Sequence, residues 1–194
     1  MARPVSDGRL VFVVGPSGVG KDTLLRAARE ALADDPGFVF PRRAITRPPS
    51  PETEDFDSLT APEFAAQKAQ GAFALTWQAH GLEYGIPAAI RTALAQGRIV
   101  VVNGSRDAIG AAEPGFPTLH IISIEARPEV IAARLAARGR ETEAEIRDRL
   151  LRAVRPLPTG IAVTRIDNSG EIAQAQGALV GALRALRQAS AEAE

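Results

Sequence analysis

Apolar residues fall along this chain in short blocks whose spacing alternates between strand-like and helix-like. Leu10–Val14 is an unbroken, largely β-branched run, the pattern of a strand buried on both faces. A glycine-rich turn follows, and Leu24, Leu25, Ala28, Ala31 and Leu32 then recur at helical spacing. Phe38–Thr46 predicts a second strand, stopped by Pro48, Pro49 and Pro51. Thr60-Ala61-Pro62-Glu63 has capping-box spacing, and Gly71 closes the short helix it opens. Phe73, Leu75 and Trp77 alternate, as in a strand with one buried face. Pro87 predicts the start of another helix and Gly97 its end.

The second half keeps the same rhythm. Ile99–Val102 and Leu119–Ile124 read as buried strands, Val130, Ile131 and Leu135 as one face of a helix, and Thr142–Glu145 as the cap of the next. Val163–Ile166 predicts a last strand, and Ile172, Leu179, Leu183 and Leu186 a final helix with a polar, fraying tail from Gln188. Strands alternating with helices predict an α/β fold around a parallel sheet. The stretch from Pro48 to Pro87 interrupts that alternation and reads as an insertion covering a substrate.

Composition narrows the class. A length of 194 residues fits one domain, and 45% hydrophobic with 24% charged residues excludes a disordered chain. There is no cysteine, so disulfides and thiolate metal sites are excluded and a reducing cytoplasm fits. Basic and acidic residues balance at 23 each, which argues against non-specific nucleic-acid binding. No apolar run approaches the roughly 18 residues a membrane span needs, and Met1 to Arg9 lacks a signal-type apolar stretch. Of the 23 basic residues only Lys21 and Lys68 are lysines; the other 23 − 2 = 21 are arginines, the residue suited to bidentate phosphate contacts. Monomer and homodimer both remain open.

The clearest chemistry lies in Gly15-Pro16-Ser17-Gly18-Val19-Gly20-Lys21-Asp22-Thr23. Its G-x-x-x-x-G-K spacing, between a buried strand and an amphipathic helix, is that of a phosphate-binding loop. The glycines let successive N–H groups turn inward around a phosphate, and Lys21 reaches the β- and γ-phosphates of a nucleoside triphosphate. Asp22 stands where Ser or Thr usually holds Mg²⁺, so it is the candidate metal ligand, with Thr23 beside the α-phosphate.

Beyond this loop the order of motifs resembles the guanylate-kinase-like P-loop kinases. Ile45-Thr46-Arg47-Pro48 is similar to their Thr-Arg-Pro motif for the acceptor phosphate, Tyr84-Gly85 to their Tyr-Gly element, and Arg134-Leu135, Arg138-Gly139 and Arg149-Leu150 to their lid arginines. A narrower resemblance, to the ribose 1,5-bisphosphate phosphokinases of phosphonate catabolism, rests on Phe73–Pro87, Val102–Arg106 and Ile166–Gly170. Members of that family pass a phosphoryl group from ATP to ribose 1,5-bisphosphate, giving 5-phosphoribosyl 1-diphosphate. Their Gly-Gly-Glu-x-His segment reads Glu52-Thr53-Glu54-Asp55-Phe56 here, so Glu54 alone matches.

The resemblance implies one guanylate-kinase-like domain, with a core over about 8–47 and 88–187, an acceptor insertion over 48–87 and a helical lid over 134–150. It implies ATP with Mg²⁺, and Arg134, Arg138 and Arg149 gathered with Lys21 around the transferring group. Arg47, Glu54, His80, Tyr84, Asn103 and Arg106 are the implied contacts to the sugar phosphate, and His120, inside a strand, is structural. The alternatives are a nucleoside monophosphate kinase and a non-catalytic binding module. Guanine readers place carboxylates against the base, yet the corresponding positions here lie in Phe73-Ala74-Leu75-Thr76 and at Asn103, which leaves guanine's donors unpaired.

Overall fold

The computed structural model describes residues 8–48, 55–137 and 156–192. Nine strands and six helices are labelled here in chain order among the described residues. Strands β1 (Arg9–Val14), β2 (Phe38–Val39), β7 (Ile99–Asn103), β8 (His120–Glu125) and β9 (Ala162–Asp167) form a five-stranded sheet in the order β2-β7-β1-β8-β9. Every pairing in it is parallel. β1 explains its own composition: Val11 and Val13 pack on one side with Leu24, Ala28 and Leu179, while Leu10, Phe12 and Val14 pack on the other with Ile109 and Phe116. A strand with helices on both faces has no polar side to display.

Those helices are α1 (Lys21–Ala31), α3 (Ile90–Ala95), α4 (Arg106–Ala112), α5 (Pro128–Ala137) and α6 (Ile172–Glu192). α2 (Ala61–Ala69) belongs to a second unit built on a four-stranded sheet, β4 (Asp57–Ser58), β3 (Ala44–Ile45), β6 (Leu82–Pro87) and β5 (Phe73–Ala79), paired in that order. Its inner face packs on the first sheet through Leu75, Trp77 and Ile86, which share a cluster with Phe12, Val14 and Val102. Val14 ends β1 and Val102 lies one residue before the end of β7, the C-terminal strand ends where open parallel sheets bind ligands. The Thr60 capping box forms as expected, with Thr60 Oγ1 accepting from the Glu63 N–H and the Glu63 carboxylate accepting from the Thr60 N–H.

Three expectations are corrected and one further element appears. Phe38–Thr46 is two strands in two sheets: β2 pairs with β7, Pro41 supplies no N–H to continue that ladder, and Ala44-Ile45 pairs instead with Tyr84 and Gly85. Pro87 ends a strand rather than starting a helix. It lies opposite Phe73, the next amide, Ala88 N–H, bonds to Ala72 O at 2.8 Å, and α3 begins only at Ile90. Helix α4 was not expected, although Ser105 caps it by accepting from the Ala108 N–H. The C-terminal helix does not fray at Gln188; its alanine-rich end stays helical to Glu192.

Candidate functional site

The phosphate loop is shaped by backbone rather than by side chains. Gly18 and Gly20 have φ of +83° and +92°, values that exclude ordinary residues, and a Cβ on Gly20 would stand 2.6 Å from Asn168 Nδ2. At the loop's start, a Cβ on Gly15 would meet Ile124 O at 2.7 Å. Between these glycines Val19 is fully buried, and its N–H bonds to Pro16 O at 3.3 Å.

Two side chains from far along the chain then fix the turn. Asn168 Nδ2 donates to Val19 O at 2.7 Å and Arg134 Nη1 donates to the same oxygen at 3.3 Å. A trans peptide points its C=O and the following N–H in opposite directions. Pinning the Val19 carbonyl therefore aims the Gly20 N–H the other way, as an anion-binding nest requires. Asn168 is itself held, being 1% exposed with its N–H on Glu125 O at 2.7 Å. Asn168 lies in the Ile166–Gly170 stretch that carries part of the family resemblance, but nothing in that stretch by itself gives it a task. The partners lie 149 residues apart, and no local pattern announces such a contact.

Lys21 opens α1, and Asp22 follows in its first turn. Asn103, at the end of β7 and level with Val13, donates from Nδ2 to Asp22 Oδ1 at 2.9 Å. The expected metal ligand and an expected substrate contact are thus one hydrogen-bonded pair beside the loop. Arg106 begins α4 three residues on and is half-buried. Burial lowers its pKa from the usual value, Glu125 opposes that shift and Arg165 adds to it. Glu125 ends β8, accepts from Ser123 Oγ at 3.1 Å and is ion-paired with Arg165.

The second sheet carries the remaining candidates. Asp57 N–H to Arg43 O at 2.8 Å, Leu59 N–H to Ile45 O at 3.0 Å and Ser58 Oγ to Arg47 O at 2.6 Å tie residues 43–47 to β4. The Arg47 guanidinium lies 4.6 Å from the Phe56 ring centroid. Tyr84 and Trp77, directly opposed across β5 and β6, stack with centroids 5.1 Å apart at 7°. Arg43 lies over both, 5.3 Å from the Tyr84 ring and 5.9 Å from Trp77. Sequence reading did not single out Arg43, because one arginine of a Pro-Arg-Arg run looks like any other until its neighbours are known.

His80 and Gly81, with φ of +53° and +73°, form the two-residue turn between β5 and β6, so His80 is exposed at a hairpin tip. Among its described neighbours nothing ties it to the phosphate loop. His120 is buried, with Nε2 2.8 Å from Thr164 Oγ1, and burial followed by the charge of Arg9 lowers its pKa, in keeping with a structural part. Glu54, Arg138 and Arg149 lie outside the described residues. So the loop, Arg134, Asn103 and Arg106 cluster at the strand ends, Arg47 and Tyr84 share the second sheet, and His80 stands apart. Among the described residues no three His, Cys, Asp or Glu side chains converge as a metal cage, and no helix is long and apolar enough to cross a membrane.

Comparison with known proteins agrees with this geometry. The chain is 53% identical over 156 residues to a ribose 1,5-bisphosphate phosphokinase PhnN of Acidiphilium cryptum, covering 80% of this chain and 83% of that protein. The chain belongs to the ribose 1,5-bisphosphate phosphokinase family. Two further members of that family, from Rhizobium etli and Burkholderia mallei, are 45% and 48% identical, covering 92% and 94% of this chain and 91% and 98% of theirs. No protein-family model matches. In fold, this phosphokinase resembles a guanylate kinase from Anaplasma phagocytophilum, with a TM-score of 0.68 at 14% identity over 93% of this chain and 86% of that one. A gluconokinase from Sinorhizobium meliloti follows at a TM-score of 0.52 and 20% identity, over 95% and 96%. The α/β P-loop kinase fold expected from the sequence is therefore the one observed.

Proposed function

We propose that the chain transfers the γ-phosphoryl group of ATP to ribose 1,5-bisphosphate, giving 5-phosphoribosyl 1-diphosphate and ADP, in the cytoplasm. Family membership sets the reaction class. The observation that carries the choice of acceptor is the arginine-bearing face of the second sheet beside the phosphate loop. The strand end where a base-reading acid would stand is Asn103, and it is bonded to Asp22.

In the transfer, an oxygen of the acceptor's 1-phosphate forms a bond to the γ-phosphorus. The bond from that phosphorus to the β–γ bridging oxygen breaks, and its electron pair leaves on ADP. The attacking oxygen is already ionised at neutral pH, so no strong general base is needed. Positioning and charge neutralisation do the work instead. The loop N–H groups and Lys21 hold the ATP phosphates, while Arg47 holds the acceptor phosphate. Arg134 steadies the loop through Val19 O, and Arg138 and Arg149 are the further cations that the family resemblance assigns to the transferring group. Asp22 fits Mg²⁺, which commonly takes one or two carboxylates together with substrate oxygens and water; Asn103 orients its carboxylate, and the ion supplies charge neutralisation when bound.

The test is ADP formation with ribose 1,5-bisphosphate, GMP, AMP and UMP as alternative acceptors. Turnover confined to the sugar bisphosphate is expected. Turnover with GMP alone would overturn the assignment, and none with any acceptor would favour a binding module.

A further inference from the structure

We propose that Arg43 is a second acceptor-binding residue, which reads the non-reacting 5-phosphate of the sugar and so selects a bisphosphate over a nucleotide. The inference rests on the functional reading above. Arg43 is 9% exposed and is the most deeply buried cation among the described residues. Burying a guanidinium is costly unless something compensates it. Here the described neighbours include two ring faces, Tyr84 and Trp77, stacked in parallel beneath the cation. Ring faces attract a cation and hold the planar group in one orientation. In surroundings of lowered dielectric, an incoming phosphate is also pulled more strongly than it would be in water.

The placement matches a two-anion ligand. Arg43 and Ile45 alternate along β3, so the pleat sets both on the face that carries Tyr84 and Trp77, and the chain bends at Thr46 and Arg47. The guanidinium of Arg47 leans back over Phe56, and Phe56 is the residue level with Arg43 once the β3–β4 register is carried back by one. Both cations therefore border the same stretch of β3 and β4, as a five-carbon sugar with a phosphate at each end requires. With Arg47 on the reacting phosphate, Arg43 falls to the other. A nucleoside monophosphate offers one phosphate and a neutral base, and so gives a second guanidinium no anion to meet.

The test compares ribose 1,5-bisphosphate with ribose 1-phosphate, which lacks the 5-phosphate, in the wild-type protein and in Arg43→Met and Arg43→Lys. Met keeps an unbranched apolar stem on the rings without the charge; Lys keeps a charge without the planar fork. Wild type should strongly prefer the bisphosphate in kcat/KM. Arg43→Met should lose about 100-fold with the bisphosphate but less than about threefold with ribose 1-phosphate, so that the preference collapses. Arg43→Lys should recover part of the loss. Unchanged Tm and unchanged affinity for a non-hydrolysable ATP analogue establish that both variants are folded. Equal losses with both acceptors, or no loss with either, would overturn the proposal. If wild type turns over neither acceptor, the functional reading fails at that step and this inference falls with it. Calorimetric titration with ribose 1,5-bisphosphate gives a reading independent of turnover: binding as tight to Arg43→Met as to wild type sinks the Arg43 assignment alone.

Discussion

The phosphate loop and the inner face of the second sheet, which we assign to ATP and to the acceptor, hold their shapes by different means. In the loop, left-handed glycines and a pinned Val19 carbonyl fix the directions of backbone N–H groups, and the side chains doing the pinning come from α5 and the end of β9. On the second sheet the strands β3 and β4 are two residues each, and the chemistry lies in side chains: Arg43 and Arg47 on the rings of Tyr84, Trp77 and Phe56. A phosphate end common to all nucleoside triphosphates can be met by backbone, which every sequence possesses. An acceptor that must be told from its relatives has to be met by side chains. Damage to the first region should therefore slow the reaction with any acceptor, and damage to the second should alter which acceptor is used.

The largest break should come from Lys21→Ala. Removing a cation that meets charge developing in the transition state costs roughly 100- to 1000-fold in kcat. The fold should survive, because Lys21 stands at the first position of α1 and takes no part in the apolar clusters. Steady-state kinetics with a circular-dichroism melt checks both parts, and either unchanged turnover or an unfolded protein counts against the assignment. Arg47→Ala comes next. Losing a charge-assisted contact to the acceptor phosphate should raise the acceptor KM by about 30- to 100-fold, with the ATP KM little changed. If only the ATP KM rises, the two regions have been assigned the wrong way round.

How far the sequence announced each region follows the same division. The loop was legible because its requirements are contiguous: a buried strand, glycines at fixed offsets, then a lysine opening a helix. Strands β1, β7 and β8 of the first sheet were legible because burial on both faces leaves continuous apolar runs, whereas the edge strand β2 is only two residues and merges in sequence with β3. Of the second sheet only β5 was legible, through the alternation of Phe73, Leu75 and Trp77; β3 has only Ala44 and Ile45, and Leu82–Pro87 carries a glycine and a proline that read as breakers. Helix α4 was hidden by its polar start at Arg106-Asp107 and by Gly110, though Ser105 followed by Ala108, Ile109 and Ala112 was a usable signal. Arg43 and Asn168 owe their significance to partners 34 or more residues away, which no local window contains.

Asn168 offers a smaller and sharper break. Replacing it by Asp keeps the shape and turns the donor that holds Val19 O into an acceptor facing an acceptor. About tenfold in ATP KM is expected, in line with the roughly 1–3 kcal/mol of a spoiled buried hydrogen bond. The acceptor KM should stay put. A rise in acceptor KM of the same size would mean that the loop and the second sheet are not separable, and that Asn168 acts on the site as a whole.

The smallest effect tests the border between the regions. Asn103 was read as a substrate contact, yet its Nδ2 lies 2.9 Å from Asp22 Oδ1, which places it with the loop. If it serves by orienting Asp22, Asn103→Ala should raise the Mg²⁺ concentration needed for half-maximal rate by about three- to tenfold, as expected for one partly exposed hydrogen bond to a charged group. The double variant Asn103→Ala with Asp22→Ala should then be no worse than Asp22→Ala, since a residue that acts only through another has nothing left to orient. Additive losses, or a rise in acceptor KM with the Mg²⁺ dependence unmoved, would return Asn103 to the acceptor side and shift the border by one strand end.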